Sequence, residues 1–276
     1  MPSRRLTDAV VKLKICLAGA SGHVGQELAK AILDSDDLVL ASAVGKSSAG
    51  KRLADVGGDP RATLMVQGNV AGALAAAPAE VLIDYTKPDA VKANVRAAVE
   101  LGCHAVIGTS GLSDADYGEI DAWAKQRGVG VFAAGNFSIT AALMQHFSVE
   151  AAKHMPHWEI LDYASDAKPD APSGTARELA YQLAQAAKPG WKVAVAATQG
   201  LKESRGATLN GSQMHSVRLP GFYSAIQAIF GDAGERIELR HESTSYAPYV
   251  AGTLLAARRV REFKGLKRGM GNLLGL

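Results

Sequence analysis

Apolar positions in the first half of the chain cluster in short β-rich runs, separated by segments in which they recur every three to four residues. The runs cover residues 14–18, 39–44, 81–85, 105–109 and 129–133. Runs of that length suit strands buried on both faces, the condition of a parallel sheet covered by helices. Between the first two runs, Val24, Leu28, Ala31 and Ile32 stand at i, i+4, i+7 and i+8, one face of a helix that ends near Asp34 to Asp37. The alternation continues to about Gly135 and predicts βαβ units, which right-handed crossovers turn into a doubly wound sheet.

After Asn136 the texture changes. A long helical segment runs through Lys153, a strand covers 158–164, and a loop rich in Pro, Asp and Gly leads to a helix from Ser173. Residues 191–241 read as several strands punctuated by Gly206, Gly211, Pro220, Gly231 and Gly234, an open mixed sheet. Helical periodicity returns over 247–261, with an apolar face that needs a partner. The expected class is α/β: a doubly wound domain over 13–136 completed by a C-terminal helix over 247–276, and a smaller α+β domain over 137–246.

Composition narrows the function. A chain of 276 residues with 47% hydrophobic and 21% charged side chains suits two globular domains. Thirty Lys and Arg against 27 Asp and Glu leave a net charge of +3, too small and dispersed for a nucleic-acid or membrane footprint, so small-molecule partners are expected. Cys16 and Cys103 sit singly in apolar runs, which points to no disulfide framework and a reducing, cytoplasmic setting. Residues 1–14 carry Arg4 and Arg5 without the apolar stretch of an export signal. No paired Cys/His spacing is present, so no metal is expected. The cations Arg258, Arg259, Arg261, Lys264, Lys267 and Arg268 read as a solvated helix end.

The first strand leads into Gly19-Ala20-Ser21-Gly22-His23-Val24-Gly25, and a helix is predicted from Gln26. Glycines there allow a tight turn, close approach of the backbone to a diphosphate, and close packing of helix on strand, while the helix N-terminus offers unpaired N–H groups. Dinucleotide binding is the favoured reading. The second strand ends in Gly45-Lys46-Ser47-Ser48 with no acid for ribose hydroxyls; Lys46 and the serines suit a 2′-phosphate, hence NADPH, with NADH the alternative. Further loops follow later strands: Asp84-Tyr85-Thr86-Lys87-Pro88, Gly108-Thr109-Ser110-Gly111, and Ala134-Gly135-Asn136-Phe137-Ser138. Open α/β sheets place ligands at such strand ends, and the small residues leave room for a nicotinamide. In the second half, the prolines and Asp170 of Lys168-Pro169-Asp170-Ala171-Pro172-Ser173-Gly174-Thr175 rigidify a loop. Ser173 is an N-cap candidate, and Lys168 with the amides of Gly174 and Thr175 suits a carboxylate.

These segments, with Ser-Val-Arg at 216–218 and Gly-Glu-Arg-Ile-Glu at 234–238, together resemble the dihydrodipicolinate reductase family over about 13–255. The lysine-to-threonine loop is the most specific element, and the glycine loop alone does not choose among dehydrogenases. The resemblance implies a Rossmann domain, a substrate domain with a mixed sheet, a homotetramer, and nicotinamide-dependent reduction of a cyclic imine or enamine carboxylate such as 4-hydroxy-tetrahydrodipicolinate in lysine (diaminopimelate) biosynthesis. Residue by residue, it implies pyrophosphate binding by Gly19, Ala20, Ser21, Gly22, His23 and Val24, and adenosine ribose beside Gly45 and Lys46. Gly108, Thr109 and Ser110, with Ala134, Gly135, Asn136 and Phe137, would line the nicotinamide. Ser165, Lys168, Ser173, Gly174 and Thr175 would contact substrate.

Two departures stand out. The family's adjacent histidines before the lysine are replaced by Ala164 and Ser165, and a basic residue late in the substrate domain by Tyr246. Lys168 is then the favoured proton donor, ahead of Tyr163, Asp166 or water, and His154, His157, His215 and His241 are expected to be surface or packing residues. The alternatives are a paralogue reducing a different imine or carbonyl acid, and a nucleotide-binding sensor or assembly protein without turnover.

Overall fold

The computed structural model describes residues 12–276, so Arg4 and Arg5 lie outside the described residues. Its elements in order are β1 (Leu13–Ala18), α1 (His23–Leu33), β2 (Leu38–Val44), β3 (Val66–Gln67), α2 (Val70–Ala76), β4 (Val81–Asp84), α3 (Pro88–Glu100), β5 (His104–Ile107), α4 (Asp114–Arg127) and β6 (Gly130–Ala133). There follow α5 (Ile139–Ala152), β7 (Trp158–Ala164), α6 (Gly174–Ala186), β8 (Ala207–Leu209), β9 (Ser212–Arg218), β10 (Ser224–Asp232), β11 (Glu235–Ser243), α7 (Ala247–Arg259), β12 (Gly265–Arg268) and α8 (Met270–Leu274). The chain groups into two compact units, the residues up to Phe132 with Thr253–Leu266, and Ala133–Gly252 with Lys267–Leu276.

The first sheet has seven strands in the order β12-β6-β5-β4-β1-β2-β3, and β1 pairs in parallel with both β2 and β4. Chain order reverses between β1 and β4, so this is the doubly wound arrangement expected, with its switch point between those strands. The central strands carry the core: Ile15, Leu17, Leu82, Ile83 and Val106 are all inaccessible. Local chemistry sets the helix ends. Ser113 accepts from the Asp116 amide while Asp116 accepts from the Ser113 amide, a capping box that starts α4, and Gly128 at φ 71° ends it.

Burial makes the two cysteines inert, pushing the Cys16 thiol up to about 11 and Cys103 up to about 12. His104 Nδ1 accepts the Gly130 N–H at 2.9 Å; burial, reinforced by Arg261, holds the imidazole below its ordinary value of 6.5. A depressed histidine stabilises the fold fully above the unfolded value, and that contribution is lost as pH falls through the folded one. Unfolding free energy is therefore expected to drop between pH 7 and pH 5, and His104→Gln to flatten that slope in chemical denaturation. An unchanged slope in the variant would refute this assignment.

The second unit carries a five-stranded sheet in the order β11-β10-β7-β9-β8. It is mixed: β7 runs antiparallel to β10 and parallel to β9. Along β7 burial alternates, with Trp158, Ile160, Asp162 and Ala164 on the buried face. That face shares a core with Met144, Leu179, Leu183 and Phe230.

The structure corrects four expectations. Helix α1 starts at His23 rather than Gln26, because Gly22 is itself the extended N-cap. Residues 191–206 hold two 3₁₀ turns (Val195–Ala197 and Lys202–Arg205) and no strand, and most of them are exposed, with no buried face to fix a register. The C-terminal segment includes a strand as well as helix: β12 opens on Gly265 at φ +79° and is followed by Gly269 at φ +83°. The basic cluster is only partly a solvated helix end: Arg258 holds Asp37 at 2.7 Å and Arg261 holds Glu80 at 3.1 Å.

Candidate functional site

In the first unit, the site candidates gather at the C-terminal ends of β1, β2, β4 and β5. Gly19 has φ +81°, and a Cβ there would land on the Tyr85 carbonyl; one on Gly25 would strike the Gly19 carbonyl and Ala20. Both positions therefore require glycine. Gly22 caps α1 without a side chain, so nothing covalent fills the place where the first-turn amides can meet an anion. Gly22 and His23 are exposed, Ser21 and Val24 half-buried, and Ala20 is buried. This open rim backed by a side-chain-free corner fits a dinucleotide diphosphate.

Beside it, Gly45 is buried while Lys46 and Ser47 are exposed. Ser48 is buried instead, its hydroxyl 3.0 Å from that of Ser21, so it braces the glycine loop. Lys46 and Ser47 are left exposed at the rim.

The third loop is built around Asp84, which is inaccessible to solvent. Its carboxylate accepts from the Thr86 amide (2.9 Å), the Thr86 hydroxyl (2.7 Å), the Thr109 hydroxyl (2.8 Å) and Asn94 Nδ2 (2.8 Å). Four neutral donors thus satisfy one buried carboxylate and lock the β4 and β5 loops together. Tyr85 adds a second brace, its ring packed where a Cβ on Gly108 would sit and its hydroxyl 2.7 Å from Thr253 Oγ1. Gly108 is half-buried, Thr109 buried and Ser110 exposed.

In the second unit, the loop after β6 presents Ala134 and Gly135 to solvent but buries Asn136 and Phe137. Phe137 is only 1% exposed, so its ring belongs to the core. Asn136 works as a clamp. Its Nδ2 donates to Thr175 Oγ1 at 3.2 Å and its Oδ1 accepts the Ser138 amide at 2.8 Å. Ser138 caps α5 and meets His241 Nε2 at 3.1 Å. His241 is 7% exposed and its pKa is lowered by burial, a packing residue with a specific partner. His157 and His215 are likewise bound, to the Gly190 carbonyl at 2.6 Å and to Glu159 at 2.7 Å.

The Lys168 loop descends from the end of β7. Ser165 shapes its first turn: the Ala167 amide donates to the Ser165 hydroxyl at 3.2 Å and the Lys168 amide to its carbonyl at 3.0 Å. Lys168 Nζ lies 2.7 Å from Asp170 Oδ1, with the lysine 37% exposed. Burial opposes ionisation of Asp170, but the Lys168 hydrogen bond and charge, helped by Arg177, hold its carboxyl below the usual range. Ser173 caps α6 by accepting the Ala176 amide at 3.3 Å, as its position predicts. Behind the loop, Asp162 accepts the Ser173 amide and Arg218 Nη2, each at 2.8 Å, and Arg218 Nη2 also donates to the Asp170 carbonyl at 2.7 Å. A lysine, a capped helix start and a rigid turn thus stand together, the chemistry of a carboxylate site.

Of the other proton-donor candidates, Tyr163 donates to Gln227 at 3.1 Å under the Arg240 guanidinium, and Asp166 is exposed and accepts from Ser165. Ala164 is 1% exposed, so a larger side chain there would overpack the buried face of β7. Tyr246 packs edge-on against Tyr223 with ring centres 4.7 Å apart. Among the described residues no group of three His, Cys, Asp or Glu is placed to hold a metal, and no helix is long and apolar enough to cross a membrane. Asp84, Asp162, Arg218 and Glu178 organise the loops without appearing among the site residues expected from sequence. A lone acid closing an apolar strand, as at Asp84, is the signal that marks one of them.

Comparison with known proteins agrees with this geometry. The profile described as dihydrodipicolinate reductase, N-terminus, matches residues 13–137, and that for the C-terminus matches 140–274. A Moorella thermoacetica protein named 4-hydroxy-tetrahydrodipicolinate reductase is 38% identical over 266 residues, 96% of this chain and 99% of the relative. One of the same name from Mycolicibacterium gilvum is 34% identical over 265 residues, 96% of this chain and all of the relative. A dipicolinate-bound dihydrodipicolinate reductase from Paenisporosarcina sp. TG-14 superposes with a TM-score of 0.78 at 29% identity, over 95% of this chain and 99% of that one. With both halves of the chain matched by the family's profiles and relatives of that name aligned over nearly its whole length, the protein belongs to the dihydrodipicolinate reductase family and is an NAD(P)H-dependent reductase.

Proposed function

We propose that the chain transfers hydride from NADPH to a cyclic imine or enamine carboxylate, the reference substrate being the 4-hydroxy-tetrahydrodipicolinate of its relatives' names, in lysine biosynthesis in the cytoplasm. The observation that carries the reading is the coexistence of a side-chain-free glycine corner at β1–α1 with the Lys168–Thr175 turn. In this reading residues 13–136 with the C-terminal segment bind the dinucleotide and 137–246 bind substrate. Gly19 to Val24 hold the diphosphate, and Gly45 and Lys46 meet the adenosine ribose, where the exposed ammonium of Lys46 suits a 2′-phosphate. Gly108 to Ser110 and the backbone of Ala134 to Phe137 flank the nicotinamide.

When bound, the reduced nicotinamide would supply hydride to the iminium or conjugated imine. The protein's own task is then to hold the carboxylate and protonate the site that hydride addition leaves. The amides of Gly174 and Thr175 and the ammonium of Lys168 take the carboxylate, and Lys168 is the donor, since Ala164 and Ser165 offer no group that titrates near neutrality. Those same two residues favour a second reading, reduction of a different imine carboxylate.

The outer face of the five-stranded sheet, where half-exposed Leu161, Val217 and Ile229 are interspersed with Glu159, His215 and Arg240, supports self-association as a homotetramer. Oxidation of NADPH with freshly generated 4-hydroxy-tetrahydrodipicolinate tests the reading. Turnover is expected, and Lys46→Ala should lower kcat/KM for NADPH by about 10-fold, with NADH little affected, as fits loss of one exposed charge-assisted contact. Turnover confined to another imine carboxylate would favour the second reading. Cofactor binding without oxidation across a panel of cyclic imino acids would instead mark a sensor.

A further inference from the structure

We propose that Glu178 is a positioning residue for hydride transfer, fixing the Ala134–Phe137 loop against the helix that takes the substrate carboxylate. The inference rests on the reading that this loop flanks the nicotinamide. Glu178 lies in the second turn of α6, one turn past Thr175, and its Oε2 accepts the Gly135 N–H at 3.1 Å. The fit around it is close. A Cβ on Gly135 would stand 2.7 Å from Oε2 and 3.2 Å from the Gly174 carbonyl, and one on Gly269 would stand 3.0 Å from Oε1. The carboxylate thus sits in a slot between two glycines, one from the β6–α5 loop and one from the β12–α8 corner, which are themselves joined by the Gly269 amide donating to the Ala133 carbonyl at 2.8 Å. Arg268 adds a favourable charge, though burial still raises the Glu178 pKa.

One residue further on, Asn136 donates to Thr175. The loop is therefore tied twice to the first two turns of α6, at Thr175 and at Glu178, by one neutral bond and one charge-assisted bond. Gly135 is exposed whereas Asn136 is 5% exposed, so the Glu178 tie holds the part of the loop that a ligand can reach. Displacement of a reacting ring by about 1 Å costs on the order of 10²-fold in rate. The diphosphate and adenosine contacts do not involve this tie. Its loss should then fall on kcat and spare cofactor affinity.

The test combines kinetics with amide hydrogen exchange on the full-length protein. Glu178→Ala is expected to lower kcat about 10- to 100-fold with the NADPH Kd, read by fluorescence, changed less than threefold, and to lose exchange protection in 134–137. Glu178→Gln, which keeps an acceptor oxygen, should stay within about threefold of wild type. Gly135→Ala should resemble Glu178→Ala, and the double variant should be no slower than either single one, because both remove the same contact. Parallel loss of kcat and NADPH affinity, a Gln variant as impaired as Ala, or unchanged protection in Glu178→Ala each overturns the proposal. Wild-type protein that binds no NADPH overturns the proposed function as well, whereas normal turnover with an unaffected Glu178→Ala overturns the positioning role alone.

Discussion

Lys168→Ala is expected to lower kcat/KM by about 10² to 10⁴, the contribution of a positioned proton donor, while leaving thermal stability nearly unchanged. The second part follows from exposure: the Lys168–Asp170 pair has side chains 37% and 33% exposed, and such pairs contribute about 0–1 kcal/mol. The first part follows from the company Lys168 keeps. It is the cation on a loop whose far end starts α6, with Ser173 as cap and Thr175 as second helical residue. Lys168→Arg separates the two roles. A guanidinium keeps the charge that binds a carboxylate but gives up no proton near neutral pH, so KM should return toward wild type while kcat stays low. Should Lys168→Arg recover kcat, the lysine is a carboxylate anchor and the proton comes from elsewhere, water being the leading source.

The fold was legible where periodicity and punctuation coincide. The strand runs of the first half lie within a residue or two of their observed limits, because strands buried on both faces tolerate only apolar side chains over their length. Ser173 was legible as a cap for a local reason, its hydroxyl serving an amide three residues on. Residues 191–206 and β12 were not, since an exposed stretch has no alternation to read and a four-residue edge strand is defined by its neighbour β6. The glycine corner was readable in kind but misplaced in its helix start, since a glycine N-cap carries no side-chain signature. The layer behind the site was the least accessible. Glu178 is indistinguishable from any helical glutamate until Gly135 and Gly269, at sequence separations of 43 and 91, are seen to close on it. Arg218 was visible as part of a motif, but its partner Asp162 lies 56 residues away.

Arg218→Ala should destabilise the protein by about 3–5 kcal/mol, the cost of leaving a buried carboxylate without its counter-charge. Asp162 is 1% exposed and Arg218 has a side chain 16% exposed, so water does little to screen the change. Two neutral donors would remain on Asp162, the Ser173 amide at 2.8 Å and the Ser216 hydroxyl at 3.3 Å; Asp84 shows that neutral donors can hold a carboxylate, but with four of them. The Asp162→Asn/Arg218→Met pair removes both charges together and should recover more than half of the loss in urea unfolding, since a buried ion pair adds little over neutral packing. Activity should not recover with it. Arg218 also donates to the Asp170 carbonyl, fastening the Lys168 turn to β9, and methionine has no donor for that carbonyl, so the stabilised double variant is expected to remain at least 10-fold below wild type in kcat/KM. A double variant that regains stability and full activity together would show that Arg218 serves the fold alone.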